Sequence, residues 1–294
     1  MSIDTSLPKS AEVPKDSPKG LAASVDARPP PPKGQFMPVE YPLTSFASTP
    51  HNVACIAFLL GGLWSLGLAS ASGIFVGKHI IWSPTADATS LPPQTLTNAI
   101  FSPFLGFYLA SWAIFHLLEF VVTSMYNPGK LTVSSYLLDN GVGYHIAHAA
   151  GMLEHILAEA YFPAEWRKYR HLGGVVFIGL GLIIVGQILR SYAMISASSN
   201  FSHQLAFRKL ASHELVKTGI YSWSRHPSYA GFTWWAVGTQ IFLGNVVGTV
   251  VFSAVLYWFF STRIPVEERQ LIKFFGDDYI KYRQEVPTRI LFIS

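Results

Sequence analysis

The polar side chains best suited to chemistry lie in two stretches on either side of one long apolar segment. The first stretch, 213–231, is rich in histidine, tyrosine and serine, and the second begins at Arg263 and contains Glu267. No Asp, Glu, Lys or Arg lies between Arg225 and Arg263, which predicts a hairpin of two apolar helices. A hairpin returns both stretches to one membrane face, where they can bind a polar, charged ligand. Pro227 blocks regular helix pairing there and leaves backbone groups for that ligand.

One arginine, Arg190, lies inside another apolar stretch. A charged side chain within a membrane span is unfavourable by a few kcal/mol or more, and it usually faces a cavity or an anionic partner. Near a helix end it can instead extend its long side chain to the membrane surface. The sequence leaves both alternatives open.

A set of histidines and glutamates repeats at helical spacing and could in principle ligate a metal. We predict no metal site, because the chain has no adjacent pair of histidines of the kind found in di-iron membrane oxidases. We favour a polar helix face that forms pairs inside the bundle or lines a wet cavity, and the same interpretation applies to His116 and Glu119. The set comprises His145, His148, Glu154, His155 and Glu159.

The composition identifies an integral membrane protein. Charged residues make up only 13% of the 294 residues, against about 25% in soluble domains. The mean hydropathy is +0.32. A net charge of +4 without a basic face argues against nucleic-acid binding. A single cysteine, Cys55, excludes a disulfide framework and any multi-cysteine metal site.

We predict an all-α membrane protein with about six transmembrane helices, the last two forming the hairpin, and with a cytosol-facing cofactor site. A turn at Gly244-Asn245 separates the two hairpin helices. With six spans both termini face the cytosol, although the basic loop at 167–170 then falls on the lumenal side, against the usual charge bias. The predicted spans are 53–76, 99–124, 141–161, 172–197, 229–243 and 246–262.

Residues 1–42 differ from the rest of the chain. They contain nine prolines, five Lys/Arg and few large apolar residues. Such a segment buries too little apolar surface to offset the entropy lost on ordering. We therefore predict a disordered, Pro-rich cytosolic tail at 1–42 and one multi-span domain at 43–294.

A series of motifs in the second half of the chain resembles the protein-S-isoprenylcysteine O-methyltransferases. The resemblance is strong over about 190–292, which it identifies as the catalytic half, and the earlier spans match only in general layout. Arg-His-Pro-x-Tyr alone also occurs in phospholipid methyltransferases and sterol reductases. The motifs, in order, are Ser199-Asn200-Phe201, His213–Val216, Gly219–Tyr221, Arg225–Tyr229, Gly238–Gln240, Arg263 with Glu267-Glu268, Phe274–Gly276 and Val286-Pro287.

The resemblance implies a methyltransferase of the endoplasmic reticulum membrane that uses S-adenosyl-L-methionine to esterify the C-terminal carboxylate of prenylated proteins. By position, Arg263 matches a substrate contact, and it and Arg190 match residues implicated in catalysis. Ala206 stands where some relatives place a glutamine near the cofactor. The positions that match cofactor contacts are His213, Glu214, Leu215, Val216, Tyr221, His226, Pro227, Ser228, Tyr229 and Glu267.

Two other functions remain open from the sequence. A phospholipid or other small-lipid methyltransferase would keep the cofactor and change the acceptor, but an amine acceptor gains nothing from the cationic Arg263. A non-catalytic membrane receptor or transporter would not bind the cofactor. For the two polar stretches themselves, the alternative is an interfacial loop with aromatic anchors.

Removing the tail is expected to leave catalysis intact, because 1–42 has no apolar content with which to support the bundle. A chain truncated to begin near Tyr41 should keep most of its specific activity in detergent. A loss of more than about tenfold, equivalent to roughly 1.4 kcal/mol of barrier, would contradict this and indicate that the tail contacts the site.

Overall fold

The computed structural model describes residues 47–72, 95–290 and 292–293; the tail 1–42 lies outside these ranges. In the described residues the fold is helical, with one isolated β-bridge between Ile290 and Ile293. The helices are α1 Pro50–Ala71, α2 Leu96–Ile100, α3 Pro103–Tyr126, α4 Val142–Tyr161, α5 Ala164–Arg170, α6 Gly173–Ala197, α7 Pro227–Phe242, α8 Val246–Phe275 and α9 Asp277–Glu285.

Each predicted span overlaps a helix, but the second, 99–124, begins in α2 and continues in α3, because Ser102 caps a new helix that starts at Pro103. Among the described residues, four helical segments are long and apolar enough to cross a membrane: Pro50–Ala71, Leu96–Tyr126, Gly173–Asn200 and Val246–Phe275. α4 and α7 also form where spans were predicted, but α7 has only 16 residues and α4 carries the polar face. The chain is therefore a multi-span membrane protein, and the count of six rests on α4 and α7 crossing as well.

The first predicted span differs from α1 at its beginning. α1 begins at Pro50, three positions before the predicted start at 53, because proline in the first turn has the backbone angle that a helix needs. Within the described residues α1 ends at Ala71, and the predicted remainder, 73–76, lies outside them. α1 packs against α3, where Gly67 and Gly106 bring the two backbones together.

α6 and α7 pack closely along their length through small residues. A Cβ atom added to Gly186 would lie 2.4 Å from the backbone nitrogen of Trp235, and one added to Gly231 would lie 2.6 Å from that of Arg190. Glycine therefore permits the two helix backbones to touch. This contact fixes Arg190 of α6 directly beside the beginning of α7.

The hairpin turn lies where it was predicted, between α7 and α8. Gly244 has φ +68°, a left-handed conformation that glycine adopts without strain. Glu154 of α4 accepts hydrogen bonds from the backbone N–H groups of Val247 (3.0 Å) and Gly248 (2.7 Å) at the beginning of α8. Arg170 of α5 donates to the carbonyls at the end of α7, Leu243 at 3.2 Å and Gly244 at 3.0 Å. The negative charge of Glu154 at the beginning of α8 and the positive charge of Arg170 at the end of α7 both interact favourably with the helix dipoles.

The predicted end of the last span, 262, is not the end of its helix. α8 continues through Pro265 to Phe275. The thickness of the bilayer limits the apolar stretch but does not end a helix, and the residues beyond 262 are good helix formers that pack against α7 and α9. Because of this extension, Arg263 and Glu267 lie on one rigid helix.

The basic loop at 167–170, which disagreed with the predicted topology, makes contacts within the protein. Arg170 pairs with Glu159 at 3.0 Å and caps α7, and Arg167 is only 7% exposed. Two of the three basic side chains in this loop are therefore buried or paired, while the third, Lys168, is exposed.

The histidine-rich face of α4 forms pairs inside the bundle, as the sequence analysis favoured. In the described ranges one group, His155, Glu159 and His171, has ligand atoms within 4.8 Å of one another. Both ring nitrogens of His155 are already bonded, to Ser102 Oγ at 2.7 Å and to the Leu243 carbonyl at 3.0 Å. Glu159 accepts from Arg170 and from His171. The other pairs are His145 with the Leu138 carbonyl and His148 with the Tyr108 hydroxyl.

Candidate active site

The two polar stretches meet around a cavity at one end of the bundle. The hairpin returns Glu267 of α8 to the beginning of α7, while the end of α6, the loop between α6 and α7, and α9 form the remaining walls. Nine of the ten predicted cofactor-binding residues line the cavity: Glu214, Leu215, Val216, Tyr221, His226, Pro227, Ser228, Tyr229 and Glu267. The tenth, His213, does not line it.

Glu267 is held in the cavity wall by α7. The Tyr229 hydroxyl donates a 2.6 Å hydrogen bond to Glu267 Oε2. The imidazole of His226 stacks on the Tyr229 ring, with centroids 5.5 Å apart and planes 1° apart, and its Nδ1 lies 3.9 Å from the same carboxylate oxygen. Pro227 begins α7, so this helix starts in the wall and orients both side chains.

Arg263 lies next to the cavity rather than in its lining. Its Nε donates to the Tyr229 hydroxyl at 3.0 Å, and its Nη2 donates to the His203 carbonyl at 2.7 Å. The guanidinium also packs over the rings of Tyr229 and Phe259, at 5.7 and 5.6 Å from their centroids. Two hydrogen bonds from different nitrogens and two ring contacts fix its orientation.

Arg190 is buried, so the alternative that it extends to the membrane surface is wrong. Its Nε and Nη2 donate to the two oxygens of Glu119, at 2.7 and 3.0 Å, in a fork geometry. Its Nη1 donates to Ser228 Oγ at 2.5 Å. The anionic partner that a charge in this place requires is therefore Glu119, and Arg190 reaches the cavity wall through Ser228.

A second buried carboxylate, Glu268, fastens the site to the end of the chain. It accepts hydrogen bonds from Arg225 Nε at 2.5 Å and from His226 Nε2 at 3.1 Å, and it forms an ion pair with Arg283 Nε of α9 at 3.2 Å. Since His226 lines the cavity, Glu268 positions one of its walls from behind.

The last residues of the chain dock onto the beginning of α7. Arg225 donates its backbone N–H to the Pro287 carbonyl at 3.1 Å and its Nη1 to the Val286 carbonyl at 2.8 Å. In α9 the Tyr282 hydroxyl donates to the Tyr221 carbonyl at 2.6 Å. The Val-Pro motif therefore supports the cavity from outside, whereas α9 forms part of its wall.

His213 lies outside the lining of the cavity. It is half-buried, its ring lies 6.4 Å from that of Phe274, and its Nδ1 accepts from the Leu210 N–H at 3.4 Å. Burial, together with the charges of Lys130 and Lys209, lowers the pKa of His213 from its ordinary value. Its neighbour Glu214 lines the cavity instead.

Two cavity tyrosines outside the membrane spans stay protonated. Burial, with a smaller contribution from Glu267, raises the pKa of the Tyr221 phenol above its ordinary value. Burial also raises the pKa of Tyr282. Both phenols are therefore neutral hydrogen-bond donors at physiological pH.

Several residues of the site were not singled out from the sequence. Some line the cavity from the end of α6, from α8 and from α9, and others act behind it. A helical period joining Glu267 to Leu271 on one face of α8 was the available signal for one of them. The residues are Ala197, Ser202, His203, Leu271 and Tyr282.

Comparisons with known proteins give the same family throughout. Residues 178–273 match the isoprenylcysteine carboxyl methyltransferase family. The chain is 45% identical over 245 residues to a protein-S-isoprenylcysteine O-methyltransferase of Saccharomyces cerevisiae, covering 83% of this chain and 92% of the relative. The protein of that name from Homo sapiens is 37% identical over 189 residues, which are 64% of this chain and 65% of the relative.

A solved structure agrees with these matches. The structure of the eukaryotic intramembrane Ras methyltransferase, an isoprenylcysteine carboxyl methyltransferase, superposes with a TM-score of 0.69 at 30% identity, covering 82% of this chain and 77% of that one. A relative that is 45% identical and matched over nearly its whole length is sufficient to assign the family. The chain is an integral-membrane methyltransferase that belongs to the isoprenylcysteine carboxyl methyltransferase family.

Proposed function

We propose that this chain transfers the methyl group of S-adenosylmethionine to the C-terminal carboxylate of prenylated proteins. The observation that carries the proposal is the Tyr229 hydroxyl, which donates to Glu267 in the cavity wall and accepts from Arg263 beside it. One hydroxyl thus joins a carboxylate suited to a cationic cofactor to a guanidinium suited to an anionic acceptor.

The residues of the cavity fit S-adenosylmethionine, which carries a net positive charge and a flat adenine ring. The carboxylates of Glu214 and Glu267 complement its sulfonium and ammonium groups, and the aromatic face of Tyr221 is attractive to a cation. The apolar side chains of Leu215 and Leu271 offer a surface for the adenine. We assign the cofactor to this cavity.

The proposed methyl transfer requires little acid–base catalysis by the protein. A C-terminal carboxyl group has an unperturbed pKa of about 3.5, so the acceptor is already an anion at neutral pH and needs no general base. S-Adenosylmethionine supplies an electrophilic methyl group when bound. Arg263 binds and orients the carboxylate, and the surrounding aromatic side chains exclude water. The ester product is neutral, so its attraction to Arg263 falls and it can leave.

The site is proposed to lie where a cofactor from the aqueous phase and a prenylated substrate from the bilayer can both reach it. The polar cofactor enters from the cytosol, while the farnesyl or geranylgeranyl chain remains in the bilayer. Arg263 is the first charged residue after the apolar part of α8 and therefore lies where these phases meet. The proposal includes six spans, both termini in the cytosol and location in the endoplasmic reticulum membrane.

A methyl-transfer assay tests the proposed function. Purified protein is supplied with labelled S-adenosylmethionine and, separately, a farnesylated cysteine analogue, a phospholipid and a sterol. We expect label in the farnesylated cysteine alone, and none when its carboxylate is already blocked as a methyl ester. Label in the phospholipid or the sterol, with none in the cysteine analogue, would assign a different acceptor.

Replacing Glu267 by alanine should weaken cofactor binding more than acceptor binding. The change removes a carboxylate from the cavity wall and leaves the Tyr229 hydroxyl without its acceptor. A hydrogen bond to a charged group contributes about 1.5–3 kcal/mol, so the Kd for S-adenosylmethionine should rise roughly 10- to 100-fold. Calorimetric titration measures it.

The matched control is Glu285→Ala, which removes an exposed carboxylate of α9 that does not line this cavity. It should bind S-adenosylmethionine as the unchanged chain does. An unaltered cofactor Kd in Glu267→Ala, with acceptor binding lost, would remove Glu267 from the cofactor site.

A further inference from the structure

Six residues, including Arg190 and Arg263, form a closed ring of contacts. Each neighbouring pair is hydrogen-bonded, except that the last residue is covalently joined to the first. The members come from α3, α6, α7, α8 and the loop that follows α6. In order, the ring contains Ser228, Arg190, Glu119, His203, Arg263 and Tyr229.

Two members of the ring have no role in the function proposed above. Glu119 is 1% exposed and accepts three hydrogen bonds, two from Arg190 and one from His203 Nε2 at 2.8 Å. A carboxylate accepts only, so the His203 ring must donate from Nε2. His203 therefore uses its side chain to bind Glu119 and its backbone carbonyl to bind Arg263.

The loop that carries His203 is also fastened on its other side. The carbonyl of Phe201 accepts from Asn127 Nδ2 and from Lys130 Nζ, both at 2.9 Å and both just beyond α3. The His203 ring packs edge-on against the Phe201 ring, with centroids 5.1 Å apart, and the Arg190 guanidinium lies 5.6 Å from the same ring. These contacts make the loop a rigid bridge between Arg190 and Arg263.

We propose that Glu119 and His203 are positioning residues that hold Arg190 and Arg263 at a fixed distance from the beginning of α7. The proposal rests on the function proposed above, because the positioned group is the one assigned to the acceptor carboxylate. The ring lies beside the cofactor cavity and meets it at Ser228 and Tyr229. Breaking it should therefore disturb acceptor alignment while the cofactor still binds.

The kinetic test compares His203→Ala with His203→Gln. Alanine removes the link to Glu119, whereas glutamine restores an N–H donor of similar reach. We expect His203→Ala to lower kcat/KM for a farnesylated cysteine analogue by about tenfold or more, as for a lost hydrogen bond to a charged group, with the Kd for S-adenosylmethionine nearly unchanged. His203→Gln should recover most of the loss.

A double-mutant cycle tests whether His203 acts through Glu119. If His203 acts through Glu119, the loss in Glu119→Gln/His203→Ala should be close to the larger single loss rather than their product. The matched control is Gln204→Ala, an exposed neighbour in the same loop, which should keep wild-type kinetics. A double variant whose loss in kcat/KM equals the product of the two single losses would overturn the proposal, and so would a His203→Ala variant with unchanged kcat/KM. So would a His203→Gln variant as impaired as alanine.

Amide hydrogen exchange gives a readout that does not depend on methyl transfer. Breaking the ring should speed exchange in 199–206 for Glu119→Gln and His203→Ala, but not for Gln204→Ala. Unchanged exchange in both ring variants would overturn the proposal. If the unchanged chain transfers no methyl group to the cysteine analogue, the proposed function fails, and the exchange result alone still decides whether the ring holds the loop.

Discussion

Replacing Arg263 by lysine is expected to lower turnover on a farnesylated cysteine analogue roughly 100-fold, the size of the loss that a misplacement of about 1 Å produces. Lysine keeps the positive charge but carries its donors on a single atom. It cannot donate to the Tyr229 hydroxyl and the His203 carbonyl from two fixed nitrogens, as Arg263 does. Binding of S-adenosylmethionine should survive, because Arg263 does not line its cavity.

Two companion variants separate this role from a general one. Arg263→Ala should lose at least as much turnover, and Arg269→Lys, an exposed position on the same helix, should lose none. The alternative is that Arg263 only anchors the end of the span to lipid headgroups, in which case lysine serves as well as arginine. Steady-state kinetics decides: wild-type turnover in Arg263→Lys would exclude the carboxylate-binding role.

Replacing Glu268 by alanine is expected to destabilise the protein strongly. Arg225 and Glu268 have side chains 4% and 5% exposed, and the change leaves the arginine buried without its partner. Breaking a buried ion pair on one side costs about 3–5 kcal/mol. The measurement is thermal unfolding in detergent, followed by the fluorescence of the eight tryptophans.

The control for that prediction removes the second charge as well. In Arg225→Met/Glu268→Ala no buried arginine is left without a carboxylate, and Arg283, half-exposed, remains solvated, so the double variant should be more stable than Glu268→Ala alone. Glu285→Ala removes an exposed carboxylate of the neighbouring helix and should unfold as the unchanged chain does. A double variant whose destabilisation equals the sum of the two single changes would show that the pair is not coupled.

The hairpin was predictable because the signals for it are local. The absence of charges between Arg225 and Arg263 marks the apolar length, and Gly244-Asn245 marks a turn in its middle. Once the turn is placed, the topology brings Glu267 to the beginning of α7. The cavity follows from these facts without knowledge of any side-chain contact.

The partner of Arg190 was not predictable in the same way. Glu119 lies 71 positions earlier in the chain, on a helix whose rotation about its own axis is set by packing. Both residues were recognised as polar groups inside spans, which indicates that each needs a partner. Which partner each finds depends on the glycine contacts between α6 and α7 and on the loop at His203, and a single sequence does not encode that arrangement in any local pattern.

His213 illustrates a different limit. The sequence analysis took His213–Val216 as one element, but in the structure only Glu214, Leu215 and Val216 face the cavity. These residues lie in a loop between 3-10 turns, where neither the helical nor the strand period applies. A motif therefore identified the segment that contributes to the site without fixing the direction of each side chain.

The sealed hairpin turn has a consequence for how the protein is made. A helix of 16 residues rises about 24 Å, less than the roughly 30 Å of a bilayer core, so a span made of α7 has no length to spare and the backbone groups of its turn need partners within the protein. The carbonyls and N–H groups of that turn are bonded by Arg170 and Glu154, both of which precede the hairpin in the chain. Synthesis from the N-terminus therefore delivers α4 and α5 first, and the hairpin enters a membrane in which the partners of its turn are already present.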